Sequence, residues 1–239
     1  MRHSYTVVVL GKRDYGERDR LYILYARQVG KLVVRATSAR RSGGKLAAHL
    51  ETGNIAQIEL VRTRGRGVLV YALAEAGVPD GEVALAGVLR VCAWVDALTV
   101  EGAPDGQVFD LMVEYLRLLG SEGVLGNDDA IGLVTEGVLF GLLDRLGWSA
   151  QVRVCAACSA SLIAQDEYVF GFAQSGLLCA NCARGATDSR RNLRISRATA
   201  TAIRIFQTNK LASLRKLVVS SDTLAQLVVL TNRRMRWIR

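Results

Sequence analysis

The chain has 239 residues, of which 50% are hydrophobic and only 2 are proline, so it can bury a sizeable core and is not a disordered chain. Its net charge of +9 favours a polyanionic partner. The most apolar stretches, 83–100 and 132–143, contain charged residues and fall short of the roughly 18 to 20 apolar residues of a membrane span. We see no signal-peptide pattern and expect a soluble, cytoplasmic protein without a membrane partner.

The charges are arranged in three blocks. Residues 1–75 carry 14 Lys and Arg against 6 Asp and Glu, residues 76–150 carry 3 against 12, and residues 151–239 carry 14 against 4. Basic blocks of this density favour a nucleic-acid partner over a generic solvated surface.

The first 75 residues predict a small β-barrel. Short apolar or alternating runs, separated by turn residues such as Gly30 and the sequence at 64–67, predict five strands at 5–10, 21–27, 31–38, 55–64 and 68–74. Five short strands suit an oligonucleotide-binding (OB) barrel. We interpret residues 1–78 as an OB-fold nucleic-acid-binding domain.

The pattern becomes helical after the turn at 77–81. Apolar residues recur at helical spacing over 82–98 and 105–119, and Asn127, Asp128 and Asp129 can cap a third helix that reaches about residue 146. Helical pattern resumes at Ser196, with shorter helices near 211–219 and from 221 onward. We therefore expect an α+β multidomain protein, with a helical domain at 79–239.

Four of the five cysteines form two pairs, Cys155 with Cys158 and Cys179 with Cys182, and 20 residues separate the pairs. Two CxxC knuckles at this distance are typical of a single four-thiolate zinc site. We expect a zinc-binding module at 151–186, inserted in the helical domain, with one structural Zn²⁺ held by all four cysteines. The fifth cysteine, Cys92, lies on an apolar helix and is expected in the core.

The motifs of several enzyme classes are missing. The two histidines, His3 and His49, stand outside any HExxH or HxE pattern, which argues against a catalytic zinc or a base deaminase. No Walker A sequence and no Ser-His-Asp grouping can be assigned. We expect no catalytic residue and no enzyme.

The basic side chains are the remaining candidates for function, because Arg and Lys between strands suit phosphate contacts. A second group, here called the arginine ridge, comprises Arg190, Arg191, Arg194, Arg197 and Arg204. Some of its members can instead pair with acidic helices. Of the tyrosines in the barrel, only Tyr15 is expected to stack on bases. The predicted DNA-binding residues are Lys12, Arg13, Arg18, Arg20, Lys31, Arg35, Arg40, Arg41, Arg62, Arg64, Arg66, Arg190, Arg191 and Arg194.

Several stretches of the chain form a recognisable set: 7–21, 30–32, 39–42, 109–111, and 142–147 leading into Cys155. The YGE-x-D segment at 15–19 and the cysteine segment together are the most specific of these features. On these residues, the whole chain resembles the RecO family of bacterial DNA repair proteins. The resemblance implies an OB barrel followed by a helical domain that carries a zinc module. Some members of the family lack the cysteines, which favours a structural role for them.

The resemblance further implies a non-enzymatic recombination mediator in the bacterial nucleoid. Such proteins bind single- and double-stranded DNA, anneal complementary strands and work with RecR to load RecA onto DNA covered by single-stranded-DNA-binding protein (SSB). Two alternatives stay open: a zinc-ribbon transcription or RNA-binding factor, and a metal-dependent nuclease or deaminase. The sequence leaves open the RecR and SSB surfaces, the DNA path and the oligomeric state.

Overall fold

The computed structural model describes residues 2–39, 46–61, 67–208 and 210–238. Its contacts divide the chain into two compact units, Met1–Ile131 and Gly132–Arg239. The first unit thus holds two helices besides the barrel, whereas the domain boundary near residue 78 remains a prediction. Within the described ranges, no helix combines the length and the apolar character needed to cross a bilayer.

Five strands close into a barrel in the order β1-β2-β3-β5-β4, which confirms the predicted N-terminal OB-like architecture. Strand β1 pairs with both β2 and β4, and a bulge between Val9 and Gly11 bends it, as barrel closure requires. Strands β3 and β5 meet in parallel at Arg35 and Val68. The strands are β1 (Arg2–Tyr15), β2 (Asp19–Ala26), β3 (Gly30–Ala36), β4 (Ile55–Val61) and β5 (Val68–Ala76).

The interior of the barrel is filled by the inward-facing side chains, which alternate with outward-facing ones along each strand. Val7, Tyr22, Leu24 and Ile58 are almost fully buried in one cluster, whereas Gln57 on β4 faces outward. This period of two is what places one face of each strand in the core. It explains why the sequence pattern locates these strands, although β1 runs from Arg2 to Tyr15 and not only over the predicted 5–10.

Two helices complete the first unit, α1 (Glu82–Leu98) and α2 (Gly106–Leu119). Asp105 caps α2, because its Oδ1 accepts hydrogen bonds from the backbone N–H groups of Gln107 and Val108 at 2.8 and 3.2 Å. Arg27, in the β2–β3 turn, donates to both carboxylate oxygens of Asp110 on α2, with Nε–Oδ1 at 3.0 Å and Nη2–Oδ2 at 2.9 Å. Both side chains are more than half exposed, so this pair orients α2 more than it stabilises the unit.

The second unit combines helices with a small sheet in the order β7-β6-β8. Phe140 packs against Phe206, with ring centroids 5.6 Å apart. The sequence pattern does not predict strand β8, because its five residues lack a long apolar run and gain their strand character by pairing with β6. The elements are α3 (Asp128–Arg145), whose first turn belongs to the first unit, β6 (Glu167–Gly171), β7 (Gly176–Leu178), α4 (Ala180–Arg184), β8 (Asn192–Ser196), α5 (Arg197–Thr208) and α6 (Ser221–Ile238).

Gly30→Ala is expected to lower the free energy of unfolding by about 2 kcal/mol or more. Gly30 has φ of +68°, and a Cβ there would lie 2.2 Å from the carbonyl oxygen of Ala103. Gly16→Ala is the matched control, since Gly16 has φ of +63° with no described atom within 4 Å of a Cβ. The control should lose only about 1 kcal/mol. Urea denaturation measures both, and equal losses would contradict the packing argument.

Candidate metal centre and basic surfaces

The first cysteine knuckle is built by a tight turn. The backbone N–H of Cys155 donates to the carbonyl of Ala160 at 2.8 Å, and that of Ser159 donates to the carbonyl of Cys155 at 2.9 Å. Ser159 has φ of +60°, which reverses the chain just after Cys158. The turn directs both thiols of this pair toward the same point.

The second knuckle lies at the end of a hairpin. Strands β6 and β7 pair through Val169 and Leu178, so that Cys179 follows β7 directly and α4 begins one residue later. The backbone N–H of Cys179 donates to Sγ of Cys155 at 3.2 Å. The backbone N–H of Ala156, in the first knuckle, donates to the carbonyl of Leu177 on β7 at 2.8 Å. Strand β7 therefore holds together two knuckles that are 20 residues apart in the sequence.

The four thiols, here called the thiol quartet, have the geometry of one tetrahedral site. The Sγ atoms of Cys155, Cys158, Cys179 and Cys182 all lie within 4.8 Å of one another, and Sγ of Cys158 is 3.7 Å from Sγ of Cys179. Zn–S bonds of about 2.3 Å in a tetrahedron separate the sulfurs by about 3.8 Å. The donor set therefore fits a metal ion at its centre.

The thiols differ in their tendency to ionise. Burial alone raises the pKa of Cys155, but backbone N–H groups of both knuckles donate to its sulfur and lower the pKa to about 6. The neighbouring sulfurs of Cys158, Cys179 and Cys155 raise the pKa of Cys182 to about 12. Four ionised thiols would repel one another. A cation bound at the centre would offset this repulsion, and each thiol that coordinates it would lose its proton.

Four sulfurs fill a tetrahedral shell and leave no position for water or substrate. Among the described residues, the quartet is the only cluster of three or more potential metal ligands. Cys92 lies in the first unit and is almost fully buried, which confirms its predicted place in the core. The same burial raises the pKa of its thiol to about 12.

The arginine ridge begins in a turn that Asp188 holds in shape. The Asp188 carboxylate accepts from the backbone N–H of Arg190 at 2.8 Å, and its carbonyl accepts from Arg191 and Asn192 at 3.1 and 3.0 Å. Arg190, Arg191 and Arg194 are exposed. The nearest carboxylate oxygen of Glu167 is 3.9 Å from Arg194, a loose surface pair that leaves its guanidinium largely in solvent.

The other two ridge arginines have structural partners. Arg197 donates to the carbonyl of Gln165 at 3.0 Å and to the carboxylate of Asp166 at 2.9 Å. Arg204 donates to the carbonyl of Val152 at 2.9 Å and lies over the ring of Tyr168. Both therefore tie α5 to the cysteine segment 151–186.

Several predicted DNA contacts in the barrel are paired within the first unit. Lys31 donates to the carboxylate of Asp96 at 3.0 Å and its side chain is only 14% exposed. Arg20 pairs with Asp14 at 3.1 Å. Similar pairs join Lys12 to Glu51 and Arg35 to Asp19.

Arg13 and Arg18 are exposed, on β1 and in the β1–β2 turn. The predicted contacts Arg40, Arg41, Arg62, Arg64 and Arg66 lie outside the described residues.

The tyrosines of the barrel follow the expectation in part. Tyr22 and Tyr25 are fully buried, and Tyr15 is 47% exposed, with the Arg35 guanidinium 5.4 Å from its ring centroid. Tyr71 was expected to pack in the barrel, but it is 44% exposed. Its strand β5 presents Tyr71 on the outer face, which a period-two pattern alone does not distinguish from the inner face.

The C-terminal segment of α6 has a role that the sequence pattern does not reveal. Arg233 donates to the carbonyls of Arg190 and Asn192 at 3.0 and 3.2 Å and also to that of Ser189. Arg234 is 3% exposed, and burial lowers its pKa to about 10. The cluster of arginines in the last turns of α6 is the sequence feature that hints at this role. The sequence alone does not distinguish a buried guanidinium from an exposed one.

Two family models together cover most of the chain. The model for the N-terminal part of recombination protein O matches residues 1–75, and the model for its C-terminal part matches residues 83–237. The chain belongs to the recombination protein O (RecO) family. The resemblance seen in the sequence is thereby confirmed.

Curated relatives agree with membership of the RecO family. A protein named DNA repair protein RecO from Geobacter metallireducens is 31% identical over 182 residues, which cover 74% of this chain and 71% of that relative. Proteins of the same name from Desulforamulus reducens and Bacillus subtilis are each 25% identical, over 93% and 92% of this chain and 84% and 83% of their own lengths.

Cys158→Ala is expected to lower the metal content from one tightly held ion per chain to a small fraction of that, because three thiolates bind less tightly than four. The second unit should then unfold at lower temperature, since binding of the metal is linked to folding. Elemental mass spectrometry and thermal unfolding test both. Cys92→Ala is the matched control and should keep the ion; full retention in Cys158→Ala would contradict the assignment.

Proposed function

We propose that the protein is a bacterial DNA repair protein and a mediator of homologous recombination. It binds single- and double-stranded DNA, anneals complementary strands and, together with RecR, helps to load RecA onto DNA covered by SSB. Membership of the RecO family supports this role. The single structural observation that supports it most is the set of exposed arginines in the second unit, which can bind DNA phosphates.

Annealing requires that two polyanionic strands approach each other while their bases stay free to pair. Exposed arginines can neutralise phosphates without capturing base edges. Arg190, Arg191 and Arg194 suit this task, because their turn is held by Asp188 and their side chains are exposed. In the barrel, the exposed Arg13 and Arg18 are the best-placed contacts among the described residues.

The paired cations of the barrel are weaker candidates for DNA contacts. A phosphate that binds Lys31 must compete with the Asp96 carboxylate and the Asp96 carbonyl, which lie 3.0 and 2.6 Å from the Lys31 Nζ. Lys12, Arg20 and Arg35 face similar competition. They remain in the proposed set, with a smaller expected effect for each.

The thiol quartet is proposed to hold one structural Zn²⁺ and not to catalyse a reaction. Its four sulfurs close the coordination shell, which supports a non-enzymatic protein over a metal-dependent nuclease or deaminase. The proposed place of action is the cytoplasm, at the nucleoid. The proposed domains are the barrel at 1–78 and the helical part at 79–239, with the zinc module at 151–186.

Reversing Arg190, Arg191 and Arg194 to Glu is expected to slow ATP-independent annealing of complementary oligonucleotides and to weaken DNA binding. For single strands, the slope of log affinity against log salt should become shallower by about 0.7 for each phosphate that the protein no longer neutralises. A salt series in an annealing assay and in binding isotherms measures both effects.

The matched control reverses Arg153, Arg215 and Lys216, which are exposed in the same unit and change the net charge equally. It should retain most of the annealing rate. Equal losses in the two variants would mean that net charge alone matters, and no annealing by the unaltered protein at low salt would contradict the proposed function. Strong preference for RNA or for one sequence would instead support the zinc-ribbon alternative.

A further inference from the structure

The C-terminal helix presents an exposed aromatic ring beside the arginine ridge. Trp237 is 45% exposed, whereas Phe172, on which it packs, is 4% exposed. Their ring centroids are 6.4 Å apart with an interplanar angle of 34°. The indole therefore meets Phe172 at a tilt, and nearly half of its surface remains accessible to solvent.

Arg233 and Phe172 connect this ring to the ridge. Residues 233 and 237 are one helical turn apart and share a face of α6, and the Arg233 guanidinium lies 4.5 Å from the ring centroid of Phe172. Arg233 also donates to carbonyls of the turn at 189–192. The backbone N–H of Phe172 donates to the carbonyl of Arg191 at 2.9 Å, so the aromatic support and the turn form one hydrogen-bonded structure.

These contacts give the surface a fixed shape and a defined chemistry. The Asp188 carboxylate is occupied by the backbone of the turn, and the carbonyls of the turn accept from Arg233, so the side chains of Arg190 and Arg191 extend from a rigid base. Arg236, on the last turn of α6, is exposed as well. An exposed aromatic ring beside exposed arginines on a hydrogen-bonded turn is an arrangement that can bind single-stranded nucleic acid by stacking on bases and neutralising phosphates.

We propose that Trp237 stacks on an unpaired base of single-stranded DNA whose neighbouring phosphates are held by Arg190 and Arg191. The inference rests on the proposed DNA-binding function and adds to it a base-contacting residue. Stacking on indole tolerates any base, because every base has a π-face, so the contact fits a protein that must accept all sequences. A duplex keeps its bases stacked on one another and offers no such face within the helix.

Trp237→Leu keeps apolar packing on Phe172 and removes the stacking surface. Its affinity for an oligo-dT strand is expected to fall about tenfold, while its affinity for an abasic strand of equal length, which has the same phosphates, stays unchanged. Trp237→Phe should bind oligo-dT within about threefold of the unaltered protein. Trp148→Leu is the matched control, since Trp148 is 39% exposed in the same unit, and it should leave both affinities unchanged.

Fluorescence provides a second readout that does not depend on the folding of the leucine variant. The chain has three tryptophans, so Trp94→Phe with Trp148→Phe leaves Trp237 as the only one. Oligo-dT should quench its emission, and the abasic strand should not. The companion variant that keeps only Trp148 should respond to neither strand.

The outcomes separate this inference from the function on which it rests. If the unaltered protein binds neither strand, the proposed DNA binding fails. If it binds DNA while Trp237→Leu keeps full affinity and Trp237 emission stays constant, only the stacking role is overturned. An equal loss of affinity for oligo-dT and the abasic strand would also overturn it, because the defect would then lie in phosphate binding or folding.

Discussion

The buried guanidinium of Arg234 sets the arrangement of α6 and of the arginine ridge in the second unit. It lies 4.9 Å from the ring centroid of Phe140 and 5.9 Å from that of Phe170, and it donates to the carbonyl of Trp148. Asp144 offers an opposing charge: burial raises the pKa of this carboxyl, and Arg234 acts to lower it. A buried charge needs such partners, since its uncompensated burial is costly.

This constraint fixes the rotation of α6 about its axis. With Arg234 directed into the core, Arg233 extends toward the turn of the arginine ridge, and Trp237 follows one turn later on the same face. The position of the arginine ridge therefore depends on the buried contacts of Arg234 and on the hydrogen bonds of Arg233 to the turn. The thiol quartet lies at the opposite edge of the same small sheet, where Cys179 directly follows β7.

The first unit shows how net charge can overstate a binding surface. Its barrel carries more basic than acidic residues, yet Lys31 and Arg35 are paired with Asp96 and Asp19. Hydrogen bonds from the backbone of Ser38 and from Arg35 lower the pKa of Asp19 and keep that carboxylate charged. Basic side chains that neutralise carboxylates of their own unit contribute less to an external phosphate, because the partner must be displaced.

Local patterns in the sequence locate the five barrel strands, α1 to α3 and the two cysteine pairs. They do not give the length of β1, which is predicted to end at residue 10 but extends to Tyr15 by pairing with β2. Each of these features depends on a short-range period or spacing: two residues for a strand, about 3.6 for a helix, and CxxC for a knuckle. The same spacing makes the quartet recognisable, although the closeness of its sulfurs requires the β6–β7 hairpin. Membership of the RecO family also follows from the sequence, because the residues that match the family are distributed along most of the chain.

Tertiary structure alone decided what each arginine does. Arg190, Arg197, Arg204 and Arg234 look alike in the sequence, but one is exposed on a turn, two bind carbonyls or a carboxylate, and one is buried between aromatic rings. Strand β8 and the neighbourhood of Trp237 likewise depend on partners more than 20 residues away. The positions of arginines in the sequence follow no regular spacing that reveals their partners. The role of each one is therefore set by the groups, distant in sequence, that the fold brings within a few ångströms of it.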